Sequence, residues 1–181
     1  TAGMMAYGDA NAVAMEIGEY EVLPVVEEIP VICGVHATDP RRRMWHWLGK
    51  VKDMGFSGIN NFPTHTIIDG KFRQILEETG MSVKKEFETV ALARKMEMFT
   101  IVYVGSPEES KAMAEAGADV IIAHVGTTVG GSIGVTNATM SLPEAAKITQ
   151  GIIDAAKSVR KDLIFLSHGG TINTPEDAAV I

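Results

Sequence analysis

Hydrophobic positions in this chain fall into short unbroken runs, separated by stretches whose apolar residues recur at helical spacing. Val31-Ile32-Cys33-Gly34-Val35, Val120-Ile121-Ile122-Ala123 and Leu163-Ile164-Phe165-Leu166 are too short for helices and read as strands. Runs that are apolar throughout belong to parallel sheets, where both faces are expected to be buried. All three break in the same way, into His36-Ala37-Thr38-Asp39, His124-Val125-Gly126-Thr127 and Ser167-His168-Gly169-Gly170. Polar residues at the C-terminal ends of strands stand where α/β folds build their sites. Residues 58–64 and 100–104 supply two further strands, the first unusually polar at its end.

The intervening segments carry helix punctuation. Asp9 to Glu28 predicts a helix with Asp9 or Asn11 as N-cap, weakened at Gly18 and open to a break at Pro24. Asp39-Pro40 predicts the start of a helix that runs through Met44, Leu48 and Val51 and stops at Gly55. Phe72–Thr79 and Ser82–Met98 read as two helices parted by Gly80. Ser106, Pro107 and Glu109 form an N-cap set, Leu142 opens a helix to about Val159, and Thr174-Pro175 caps a final one. Strand and helix thus alternate five times, which predicts a parallel sheet. Two closures compete. A (β/α)8 barrel takes about 250 residues, several strands more than this chain supplies. A doubly wound five-stranded sheet fits the length but lacks a dinucleotide fingerprint in its first βα unit.

The length, 181 residues, suits one domain with a sizeable core. The formal charge of −7 without a basic stripe argues against nucleic acid as the main partner. Arg41-Arg42-Arg43, the one basic run, is either a solvated first helical turn or an anion clamp. The single cysteine, Cys33, cannot form an internal disulfide, which fits a reducing, cytoplasmic setting, and it reads as a small buried hydrophobe. No signal peptide and no bilayer-length apolar run is visible, so no membrane partner is expected. The chain starts at Thr1 and stops within a helical pattern, so both ends are expected to be cut.

Candidate chemistry gathers at the strand ends. His36, His124 and His168 suit general acid–base work near neutrality, with His46 and His65 as weaker candidates. Asp39 is either a helix N-cap, or a metal ligand or base. Asn60 and Asn61 are adjacent, so only one can face a barrel lumen. Asn60 is the candidate to hold a carboxylate or enolate oxygen. Gly126, Gly130, Gly131, Ser132, Gly169 and Gly170, with Ser167, could offer N–H and hydroxyl donors to a phosphate or carboxylate. Residues 126–141 form a long glycine-rich loop, read either as plain surface or as part of a site.

The segments AYGDANA (Ala6 to Ala12), His36 to Arg43, NNFPT within Asn60 to Asp69, LEETGM (Leu76 to Met81), AEAGAD and HVGTTVGGSIG (within Met113 to Gly134) and SHGG…TPEDA (within Leu166 to Ala179) resemble one family. It is the phosphoenolpyruvate hydrolase-like family of TIM-barrel proteins, also labelled TIM-barrel signal transduction proteins. The resemblance covers nearly the whole chain and implies a (β/α)8 barrel, here a single domain over residues 1–181 that lacks the first two strands and the last. The family's relatives, phosphoenolpyruvate mutase, phosphonopyruvate hydrolase and isocitrate lyase, imply a divalent metal (Mg or Mn) and a 2-oxo acid or enolate substrate. Their paired strand-end aspartates have no clear counterpart here; Asp39 alone stands at a strand end. Two functions follow as expectations. One is a metal-assisted lyase or hydrolase of a small 2-oxo acid, phosphoenolpyruvate or phosphonopyruvate. The other is a non-catalytic barrel for ligand sensing, signalling or assembly. Sheet edges left open by a partial barrel would need covering, so a homo-oligomer is expected.

Overall fold

The computed structural model describes residues 8–130, 134–137 and 140–181. Among these, five strands form one parallel sheet: β1 (Ile32–Gly34), β2 (Gly58–Asn60), β3 (Phe99–Val104), β4 (Val120–His124) and β5 (Ile164–His168). Their order in space is β1-β2-β3-β4-β5, the order of the chain. This overturns the doubly wound alternative, which requires the strand order to reverse at a switch point. Sequential parallel strands joined by crossovers of one hand place their helices on one face of the sheet.

Burial follows that geometry. The described helices are α1 (Ala10–Ile17), α2 (Met44–Met54), α3 (Gly70–Glu78), α4 (Lys84–Lys95), α5 (Pro107–Ala116), α6 (Leu142–Lys157) and α7 (Pro175–Val180). Val102, Val104, Ile121 and Ala123 pack against Met113 and Ala114 of α5 and Ile152 and Ala156 of α6. Cys33, Val35 and Ile59 pack with Leu48 and Val51 of α2 and Ala93 of α4. The alternate positions point to a second face that no described helix covers. On β5 that face carries Ile164 and Leu166, 56% and 50% exposed. The expectation of strands buried on both faces therefore holds for most of β4, but not for β1 or β5, whose burial alternates. An apolar run shows that a strand is in a sheet; it does not show that both faces are covered.

Two helix boundaries differ from those expected. The first helix ends its α-helical part at Ile17 and continues as a π-helical turn over Gly18–Val22. Gly18 lies against the Phe56 ring, where a Cβ would come within 2.3 Å of the ring carbon Cζ, so the glycine admits this close crossing. Asp9 is the cap, accepting from the Ala12 N–H, while Asn11 is buried and serves elsewhere. α2 begins at Met44 rather than at Pro40, because the Asp39 carboxylate bonds the Arg41 N–H in a local turn. Its N-cap is Arg43, which makes no side-chain capping bond. Gly55 ends α2 in the left-handed conformation at φ 110°, as the sequence predicts.

β2 is held close to β3 at a glycine. A Cβ on Gly58 would lie 2.1 Å from the backbone oxygen of Phe99, its ladder partner. Gly58→Ala is expected to lower the unfolding free energy by about 3 kcal/mol, the cost of overpacking against a backbone atom that cannot turn aside. Gly49→Ala, in α2 with open space around it, should instead stabilise by about 0.5–1 kcal/mol. Urea denaturation midpoints check the pair; equal effects of the two substitutions would contradict this packing.

Candidate functional site

The uncovered face gathers aromatic and imidazole rings at the C-terminal ends of β3, β4 and β5. Tyr103 stands opposite Ile122 in the ladder, and His124 opposite His168. Alternation puts all three rings on the face away from the helices. The Tyr103 ring lies 5.6 Å from His124 and 5.5 Å from His168, edge-on to both, and the two imidazoles are 5.5 Å apart. Phe62, after β2, flanks Tyr103 at 6.0 Å. His124 Nδ1 accepts from the Gly126 N–H at 3.3 Å, so the neutral ring carries its proton on Nε2. Burial, and then the neighbouring His168, lower the His124 pKa from its ordinary value. At neutral pH this imidazole is unprotonated, with Nδ1 held by the Gly126 N–H and Nε2 left as a hydrogen-bond donor.

The other expected residues divide. Asn60, at the end of β2, donates to the Ile101 carbonyl at 2.8 Å and is half-buried. His36 pairs through Nε2 with the Thr38 hydroxyl at 2.9 Å. It lies beyond β1, three strand positions from β4, or about 14 Å at ordinary strand spacing. Asn11 clamps its backbone, donating to the His36 carbonyl and accepting from the His36 N–H. Ser167 turns to the helix side and meets Thr149 of α6 at 3.3 Å, away from the ring cluster.

The glycines do not present the expected row of free N–H groups. Gly126 N–H is given to His124, Gly130 N–H to the Val135 carbonyl, and Gly170 N–H to the Gly126 carbonyl. Gly169 and Gly170 are instead required by contact: a Cβ would fall 2.1 Å from the Gly126 oxygen or 2.3 Å from the Val125 oxygen. Both also have positive φ, 89° and 58°. Gly131 and Ser132 lie outside the described residues.

Asp39 does not fit a divalent metal. Its Oδ2 accepts from Asn11 and from the Arg42 guanidinium, and its Oδ1 from the Arg41 N–H. Burial pushes its carboxyl up, but the Arg41 N–H, the Asn11 amide and the Arg42 guanidinium outweigh that and hold it below its usual value. Among the described residues no group of three or more His, Cys, Asp or Glu side chains gathers in a metal-holding arrangement.

A buried carboxylate, absent from the sequence reading, supports the ring cluster. Glu86 of α4 is 1% exposed. It accepts from Asn61 Nδ2 at 2.6 Å, the Thr64 hydroxyl at 2.8 Å and the His65 N–H at 2.8 Å. Asn61 in turn brackets Tyr103, accepting its N–H at 2.7 Å and donating to its carbonyl at 3.0 Å. Asn61, not Asn60, is thus the asparagine with the fuller structural role. The carboxylate of Glu109 joins the next two loops, accepting from Gly105 N–H, Thr66 and Arg73. A sequence signal for Glu86 exists: it stands four before Val90 and seven before Ala93, on the buried stripe of its helix. Burial pushes its carboxyl up to about 7, against the lowering effect of its three donors.

Residues 1–181 match the family described as Phosphoenolpyruvate hydrolase-like. The chain is 49% identical over 180 residues to the "ToMV resistance protein Tm-1(GCR237)" of Solanum lycopersicum, covering 99% of this chain and 24% of that protein. It is 33% identical over 173 residues to the "Putative transcriptional regulatory protein y4pA" of Sinorhizobium fredii, covering 96% of this chain and 28% of that protein. The chain therefore spans about a quarter of the length of these relatives. Among solved structures it is similar to nitroalkane oxidase from Streptomyces ansochromogenes, with 22% identity, a TM-score of 0.40, and coverage of 74% of this chain and 33% of that one.

Two titrations test the geometry. The His124 ring protons should titrate below the ordinary imidazole value, and His168→Gln should move that midpoint upward by removing a neighbouring positive charge. Proton NMR of the two proteins reads this; an unmoved midpoint would contradict the contact. Glu86 has a raised pKa, so the native state binds its proton more tightly than the unfolded chain does. Its contribution is full below the unfolded value and is lost as pH rises through about 7. The histidines with lowered pKa act in the opposite sense over part of this range. The difference between wild type and Glu86→Gln isolates the carboxyl: from pH 4.5 to 7.5 wild type should lose on the order of 3 kcal/mol relative to the variant. Parallel stability–pH curves would show that Glu86 does not titrate in this window.

Proposed function

This chain belongs to the phosphoenolpyruvate hydrolase-like family, and we propose that its Tyr103–His124–His168 cluster is the binding and acid–base centre for a small 2-oxo acid or its enol, including phosphoenolpyruvate or phosphonopyruvate. The observation that carries this reading is the meeting of three proton-handling rings from three adjacent strand ends on the face that the helices leave open. In this reading the five sequential strands are part of the wall of a (β/α)8 barrel, the uncovered face is its lumen, and the remaining strands belong to a longer polypeptide.

The chemistry follows from the groups present. His168 takes a proton from the carbon next to the carbonyl, and the imidazolium so formed returns one to the enol carbon; neutral His124, its Nδ1 held by the Gly126 N–H, donates through Nε2 to the substrate's carboxylate. The Tyr103 hydroxyl donates to the oxygen on which charge develops. His168, the most exposed of the three, exchanges the proton with water. Asn60 keeps its carbonyl oxygen as an acceptor at the rim. No step is routed through a metal, since Asp39 is engaged by Asn11, Arg41 and Arg42.

A second reading, ligand sensing without turnover, is favoured by one specific observation: the glycine N–H groups of the β4 and β5 loops are mostly bonded within the protein. A single experiment separates the two. Pyruvate in D2O, followed by proton NMR, should exchange its methyl protons in the presence of the protein, and His168→Gln should slow this at least about 100-fold. Phosphoenolpyruvate hydrolysis assayed in parallel extends the test to the phosphorylated enol. Binding of pyruvate without exchange would select the sensing reading, and neither binding nor turnover of any of these acids would sink both.

A further inference from the structure

A second site stands outside the ring cluster, at the start of α2. The loop after β1 delivers Arg41, Arg42 and Arg43 to the positive end of the helix, where cations are disfavoured. Its first turn holds no acidic residue and no capping side chain. His46 and Trp47 N–H both turn to the Arg43 carbonyl, which leaves the Met44 and Trp45 N–H without acceptors among the described residues. Together these features make a positive end, only partly offset by Asp9 and Asp39, in a chain whose net charge is −7.

The charges there are unequally used. Arg41 and Arg42 pair with Asp9, and Arg42 also with Asp39, so these two arginines are committed to the fold. The Arg42 guanidinium also lies 4.5 Å above the Trp47 ring. Arg43 and Lys50, both exposed, form no ion pair among the described residues. They stand seven positions apart, so they share a face of α2, about 10 Å from one another along its axis.

These groups line a cavity of about 570 Å³, together with Trp45 and Trp47. Trp45 is 63% exposed. The indole Nε1 of Trp47 is buried without a hydrogen-bond partner among the described residues. The volume falls in the range of small-molecule sites, about 300–1,000 Å³. Two cations and two helix-start N–H groups, unpartnered among the described residues, together with an exposed indole suit one kind of ligand. It carries a phosphate chain at one end and a flat ring at the other.

We propose that this cavity is a nucleotide site, in which Arg43, Lys50 and the α2 N-terminus hold the phosphates and Trp45 stacks on the base. It is independent of the acid–base centre, whose residues it does not share.

The chain has two tryptophans, and both line the cavity, so their emission reports on binding without a label. Titration of the full chain with ADP, checked by calorimetry, should quench that emission saturably. The double variant Arg43→Gln, Lys50→Gln should raise the ADP dissociation constant at least about tenfold, with an unchanged circular dichroism spectrum and melting curve. Pyrophosphate should bind and lose affinity in the same variant. Trp45→Ala, read by calorimetry, should weaken ADP and leave pyrophosphate unchanged. The proposal is overturned if ADP gives no saturable response up to about 5 mM, near the weak limit of specific binding. It is equally overturned if the folded double variant binds ADP as wild type does, or if single-stranded RNA binds where ADP does not.

Discussion

A parallel strand can be followed by its neighbour only through a crossover, and the hand of that crossover is fixed. In this chain five strands are laid down in sequential order, so the helices are driven to one side of the sheet and the other side is left open. The pairing of Tyr103 with Ile122 and of His124 with His168 then decides which side chains share the open face. Neither ring could be moved to the helix side without a one-residue slip that would also expose Val102, Val104, Ile121 and Ala123. The hydrophobic contact between sheet and helices thus fixes the placement of the polar cluster.

Much of this was legible in the sequence because it rests on local signals. Helix caps at Ser106 and Thr174, the αL glycine at Gly55 and the apolar runs of β4 and β5 all depend on neighbours in the chain. What the sequence did not disclose depends on partners far along it. Asp39 reads as a cap or a metal ligand until Asn11, 28 residues away, is seen to hold its carboxylate. Ser167 reads as a site residue until α6 supplies Thr149 on the opposite face. The histidines were legible as strand-end residues, but which of them meet was not: that requires strand order, and β1 lies too far from β4 for His36 to join His124. A tyrosine within a strand more often packs than reacts, and here Tyr103 packs against the two histidines.

Glu86 shows a different limit. A glutamate in a helix usually faces water, and a buried one is stable only when donors surround it. Those donors come from one short loop, Asn61 to His65, which passes the constraint on to the backbone of Tyr103. An asparagine, a threonine and a glutamate that look unremarkable one by one therefore form the underside of the ring cluster. The cluster is polar on both sides of the β3 backbone, through its rings above and through this network below.

The backbone contact between the turns after β4 and β5 has a consequence for how this protein can vary. Gly170 gives its N–H to Gly126 and accepts the N–H of Val129, and both glycines after His168 sit against the opposing carbonyls. The two turns are laced into one ribbon, so neither can change length alone without unlacing the other. Changes of length in the two turns should accordingly be coupled: one residue more or fewer after His124 would break the bonds that Gly170 makes, and the reverse holds after His168.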